Sequence, residues 1–167
     1  MTTTIPTTQP TDLAGLLDHH GIVDAAVRYT TGLDAGDADL MASALTEDAV
    51  VDVTPAMSAI GLDFPVLSPR DTVVGGLIGA VGQLQTSHSV TNARSTVDGD
   101  EATLSCYVDA MYRLPRGVGV DRSVRHAEMM IRYTTRLLRA DGGWRIRHLR
   151  IDGLWFDGDP QVLVPRG

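Results

Sequence analysis

The sequence predicts an α+β domain, with helices first and a sheet of long antiparallel strands after them. Three observations carry this. Apolar residues recur at helical spacing in the first part of the chain. The second half alternates apolar and polar residues with a period of two. Turn signals separate the alternating runs, "DGD" at 98–100 and "ADGG" at 140–143. Helices followed by a strand meander give a layered fold with the helices on one face of the sheet.

The elements follow in order. Residues 13–34 read as a helix with Leu16, Ile22, Val23, Ala26, Val27, Tyr29, Thr30 and Leu33 in one broad apolar stripe. "DHHG" at 18–21 interrupts the pattern, so Asp18 is an alternative cap for a second part of this helix. "AGD" at 35–37 ends it, and Asp37 caps a short second helix through residue 45. Residues 49–53 ("AVVDV") are a short strand. Residues 54–67, with Pro55, Gly61 and Pro65, read as a loop long enough to serve as a lid or binding loop. In "SPRD" (68–71), Ser68 and Asp71 fit a capping box and Pro69 the first helical position. The third helix then runs to about residue 84, with four glycines that suit close packing. Strands follow at 87–97, 101–114, 122–139 and 144–156, with a loop at 115–121.

Composition narrows the function. A chain of 167 residues makes one domain with a real core. Its net charge of −7 argues against nucleic acid and against an anionic membrane. All fourteen cations are Arg. Without Lys there is no Schiff-base chemistry and no P-loop lysine. The single Cys106 forms no internal disulfide and no cysteine-rich zinc site, which fits a reducing cytoplasm. Residues 1–11, rich in Thr and Pro, are expected to be a disordered tail without signal-peptide character. No run is long and apolar enough to span a bilayer. The folded domain is expected at 12–160. Residues 161–167 form an extension ending in "LVPRG", which matches a thrombin site and reads as a tag scar.

One residue is out of place. Asp34 ends the first helix in register with Thr30, Val27 and Val23, on the apolar side. An acid there either caps the turn "DAGD" or performs chemistry. Three segments, "AAVRYTTGLDAGDADLMASALTEDAVVDV", "TSHSVTN" and "DGGWRIRHLRI", resemble the SnoaL-like, scytalone dehydratase-like group of the nuclear transport factor 2-like superfamily. The resemblance spans nearly the whole domain. It implies a cone in which a strongly curved antiparallel sheet wraps the first helix and leaves an apolar pocket.

Dehydratases of this fold pair an Asp in the first helix with a His on the strand after the third helix. Those positions are Asp34 and His88. Bile-acid 7-alpha-dehydratase also has a catalytic Tyr five residues before the Asp, which Tyr29 matches. The two catalytic-site tyrosines of scytalone dehydratase fall on Leu33 and Val53, and its second histidine on Tyr112. Its polar pair on the fourth strand falls near Ile131 and Tyr133. The resemblance therefore implies a more apolar pocket, with Val53, Tyr112, Ile131 and Tyr133 against substrate.

The chemistry stands without the family. A carboxylate bonded to imidazole fixes its tautomer and raises the basicity of the other ring nitrogen. Such a base takes a proton beside a carbonyl and returns it to a leaving hydroxyl. A phenol such as Tyr29 stabilises the enolate oxygen. No metal or organic cofactor is needed.

The plain readings stay open beside this one. His88 alone is an ordinary polar residue at a strand start, and Tyr29 alone is a core residue. His148 shares a face with Trp144 and Ile146 by simple alternation, which would put it in the pocket. Asp109, His126 and Glu128 fall on the outer face. Adjacent His19 and His20 do not share a helix face and make no metal site.

The leading expectation is a cofactor-independent lyase or isomerase acting on an apolar carbonyl substrate of polyketide- or steroid-like shape. A SnoaL-type polyketide cyclase using the same enolate is the nearest alternative. A non-catalytic ligand-binding module, or a subunit like the β chain of ring-hydroxylating dioxygenases, is the other. The outer face of the fourth strand is expected to pair with a second copy as a homodimer.

Overall fold

In the computed structural model, residues 10–114 and 125–164 are described. Residues 1–9 of the tail expected at 1–11, the loop at 115–121 and the last three residues lie outside them. Helix α1 (Leu13–Ala35) is continuous through "DHHG". Its N-cap is Asp12, whose carboxylate accepts from Gly15 N. Gly36, in the left-handed region, ends it: the Gly36 N–H donates to Leu33 O and the Asp37 N–H to Gly32 O. Asp37 then caps α2 (Ala38–Ser43) by accepting from Leu40 N. The turn is thus completed by Gly36 and Asp37, and the Asp34 side chain is left for other partners. Gly32 allows the two helices to meet, since a Cβ there would stand 2.5 Å from Met41 N.

Strand β1 (Leu45–Asp52) starts earlier than the sequence suggests and shortens the second helix by two residues. Val53 leads directly into α3 (Thr54–Ser58), one short helix inside the expected loop. Val51 and Leu67 form a backbone bridge that closes the same segment. Helix α4 (Arg70–Val81) follows Pro69, which occupies the N-cap itself. The Ser68–Asp71 capping box does not form, because Pro69 supplies no capping side chain and Asp71 pairs with Arg70 instead.

Strands β2 (Gln85–Asp98), β3 (Glu101–Leu114), β4 (Arg125–Ala140) and β5 (Gly143–Gly158) make an antiparallel meander. Sheet order is β1-β5-β4-β3-β2. The sheet is not wholly antiparallel: β1 adds parallel to β5. The chain reaches β1 from the helical end and runs in the β5 direction, so no hairpin sets its sense. Together the helices and the curved mixed sheet form a nuclear transport factor 2-like α+β cone.

The sheet's inner face supplies most of the core. Leu104, Cys106, Val108 and Ala110 on β3 meet Met129, Ile131 and Tyr133 on β4 and Ile146, Leu149 and Ile151 on β5. Ile22, Ala25, Ala26 and Tyr29 of α1 close over them. Burial of this much apolar surface, at about 25 cal/mol per Å², is the main stabilising contribution.

Candidate active site

Asp34 and His88 meet because β2 is an edge strand. Its partner β3 lies on one side only. The His88 N–H, which finds no strand on the open side, donates to Asp34 Oδ2 at 2.8 Å. His88 Nδ1 lies 2.6 Å from Asp34 Oδ1. Thr86 Oγ1 donates to the same Oδ1 at 2.7 Å. Three donors therefore converge on one carboxylate. Burial works to raise its pKa, but the His88 and Thr86 hydrogen bonds outweigh burial and hold it below the ordinary carboxylate value. An ionised Asp34 only accepts, so the proton shared with His88 resides on Nδ1, and in the neutral ring Nε2 carries the lone pair.

Nε2 is 3.1 Å from the Tyr112 hydroxyl. Thr86 faces Tyr112 across the ladder and His88 faces Ala110, so Tyr112 is the diagonal neighbour of His88 on one face. The two rings meet edge to face, 5.4 Å between centroids. The His88 side chain is only 2% exposed and that of Asp34 22%.

Tyr29 is fully buried, its ring edge-on to Tyr133 at 6.1 Å. It makes no hydrogen bond to the dyad among the described residues, yet it sits in the same cluster. Burial raises the pKa of Tyr29, Tyr112 and Tyr133, each further raised by a neighbouring phenol or carboxylate of the group. All three remain neutral phenols. Burial also pushes the Cys106 thiol up to about 12, which makes it a packing residue rather than a nucleophile. Val53, Tyr112, Ile131 and Tyr133 are all buried with the core.

His148 is not brought to the site. A bulge at Arg147 lets Ile146 face Leu137 and His148 face Arg136. The extra residue reverses the alternation, so His148 is exposed and Leu149 takes the inward position. Thr86 was not singled out from sequence, although the period of two places it on the face of His88. Asp109, His126 and Glu128 do fall on the outer face, opposite buried Ala110 and Ala127. His19 bonds to Ser95 Oγ at 2.7 Å. Among the described residues no group of three or more His, Cys, Asp or Glu is placed to hold a metal ion. No described helix is long and apolar enough to cross a membrane.

A carboxylate–imidazole pair beside an apolar, tyrosine-lined sheet face defines a class: an α+β cone carrying a hydrogen-bonded Asp–His pair. The chain belongs to the SnoaL-like domain family, which it matches over residues 14–150. A terrestric acid biosynthesis cluster protein E from Penicillium crustosum is 29% identical over 152 residues, covering 89% of this chain and 90% of that protein. A candidate scytalone dehydratase from Novosphingobium aromaticivorans has the same fold, with TM-score 0.69 and 20% identity over 86% of this chain and 89% of that one. A hexachlorocyclohexane dehydrochlorinase from Novosphingobium barchaimii superposes with TM-score 0.70 and 19% identity, covering 89% and 94%. The family supports an enzymatic role, and the two solved structures share the fold.

Proposed function

We propose that this chain is a cofactor-independent lyase or isomerase that removes a proton beside a carbonyl of an apolar polyketide- or steroid-like substrate. The observation that carries the reading is the Asp34–His88 pair at 2.6 Å, with the far nitrogen directed at the tyrosine cluster. His88 Nε2 takes the proton, and Asp34 orients the ring and stabilises the imidazolium. Tyr29, kept protonated by burial, is the donor for the carbonyl oxygen that becomes the enolate. Val53, Tyr112, Ile131 and Tyr133 present the apolar lining. Loss of a β-hydroxyl then gives dehydration, and return of the proton at another carbon gives isomerisation.

A SnoaL-type ring closure is the second reading. It uses the same enolate to attack another carbonyl, and the match to the SnoaL-like domain family favours it. The test is product analysis by mass spectrometry with a panel of polycyclic β-hydroxy ketones and open-chain polyketones. Loss of water marks the first reading and a new carbon–carbon ring bond the second. Turnover that is unaffected by His88→Ala overturns both.

The working unit in this proposal is a homodimer joined through the outer sheet face. Tyr107, Met111 and Trp155 are exposed there. Asp109 Oδ1 and Arg132 Nε on that face are buried without hydrogen-bond partners among the described residues. Light scattering at micromolar concentration checks the dimer, and a monomer there overturns it.

A further inference from the structure

Resting on the base reading of His88, we infer that Tyr112 is the proton donor to the departing oxygen and caps the base until substrate arrives. The Tyr112 hydroxyl occupies the one position on His88 through which that residue could act. Nδ1 is committed to Asp34 at 2.6 Å, so in the neutral ring the 3.1 Å contact at Nε2 is made by a hydroxyl donating to the lone pair. A capped lone pair is a poor base. It becomes available only when the Tyr112 proton turns to another acceptor. In an apolar, buried site that acceptor is an oxygen of the bound substrate.

The geometry of the strand pair keeps the two groups together. Tyr112 and His88 are diagonal neighbours on one face of β2 and β3, with rings packed edge to face. The Tyr112 side chain is held within the core rather than on a loop. Its burial and the nearby Asp34 charge raise the phenol pKa, so it reaches the site protonated.

The step balances without any outside reagent. The substrate hydroxyl accepts the Tyr112 hydrogen bond, which frees Nε2. Nε2 takes the α-proton, the carbon–hydrogen bond breaks and the carbon–carbon double bond forms. The carbon–oxygen bond breaks as the Tyr112 proton passes to the oxygen, which leaves as water. The imidazolium returns its Nε2 proton to the Tyr112 oxygen, and both residues are restored. A substrate lacking an oxygen at that position leaves the base capped, so the pair discriminates in favour of β-oxygenated carbonyl compounds.

The test uses two probes on the intact protein and on Tyr112→Phe and His88→Ala. The first probe is nitrobenzisoxazole, an activated carbon acid whose phenolate leaves without protonation. The second is the aldol adduct of benzaldehyde and acetone, whose hydroxyl needs an acid. Tyr112→Phe is expected to speed the first reaction, by uncapping Nε2, and to slow the second by about 100-fold or more, the low end of general-acid contributions. Nitrogen NMR of labelled histidine provides a readout without turnover: the His88 Nε2 signal should move toward that of a free unprotonated ring nitrogen in Tyr112→Phe. Equal slowing of both probes, or an unmoved Nε2 signal, overturns the inference while leaving the base reading standing. His88→Ala without effect on either probe, or a wild-type protein inert to both, overturns the base reading and the inference with it.

Discussion

Helix α1 carries two aspartates that reach across to the sheet, one near each end, and they do different things. Asp18 accepts from Arg139 Nη1 and Nη2 at 2.8 and 3.0 Å and from Trp144 Nε1 at 3.1 Å. Arg139 also stacks over the Trp144 ring at 4.3 Å. Asp34 likewise accepts three hydrogen bonds, from Thr86 and twice from His88. Both carboxyls are held below the ordinary value. For Asp18 the largest cause is the Arg139 hydrogen bond; for Asp34 burial opposes the shift and hydrogen bonds prevail. What separates them is the partner. A guanidinium and an indole hold their protons throughout the working range, so Asp18 only fastens the helix. An imidazole has a second ring nitrogen that can accept a proton, so the same geometry at Asp34 supports the proposed base.

The largest expected effect breaks the chemical end alone. Asp34→Asn and His88→Ala should each lower turnover by roughly 10²–10⁴-fold. The double variant should be scarcely worse than the worse single, since groups acting as a unit are strongly non-additive. A kinetic double-mutant cycle measures this, and additive losses would mean that the two act separately. Next comes Gly32→Ala, whose new Cβ would meet the Met41 backbone. It should cost about 1–3 kcal/mol by overpacking. Because Asp34 lies half a turn further along, turnover should fall as well as melting temperature.

Asp18→Asn should show the opposite profile. Stability should fall by about 1–2 kcal/mol, as for a hydrogen bond to a charged group, with kcat unchanged. A kcat loss matching that of Asp34→Asn would erase the contrast between the two ends. Acid sharpens it further. A carboxyl with a depressed folded-state pKa contributes stability that is fully present above the unfolded value, 3.8, and is lost as pH falls through the folded one. Melting curves from neutral pH downward should therefore show acid destabilisation that is shallower in Asp18→Asn and in Asp34→Asn than in wild type. The smallest effect belongs to His148→Ala, an exposed outer-face residue: stability within about 0.5 kcal/mol and turnover unchanged. A large kinetic loss there would mean that β5 takes a different register.

Much of this could be read in the chain. The strands of the meander announce themselves because one face is buried and the other wet, as in Leu104, Cys106, Val108 and Ala110. The out-of-place register of Asp34 was visible too, and resemblance to known dehydratases pointed to His88. Features that depend on a single residue of slip were not visible. Nothing local marks Arg147 as the bulge that turns His148 outward. The parallel sense of β1 depends on where a distant strand lies. The Ser68–Asp71 pattern looked like a cap, but Pro69 took the cap position. The place of Tyr112 on Nε2 comes from a diagonal across two strands, which no linear spacing displays.

The bond from the His88 amide to Asp34 has a consequence beyond chemistry. It occupies a main-chain donor on the open side of β2, where an unpaired strand could otherwise recruit a strand from another molecule. The carboxylate proposed to orient the base is also a stopper against intermolecular β-pairing. Variants that delete it, such as Asp34→Ala, should expose a sticky edge at the moment they lose activity. Selection against aggregation would then retain an acid at this position even in a descendant that had given up catalysis.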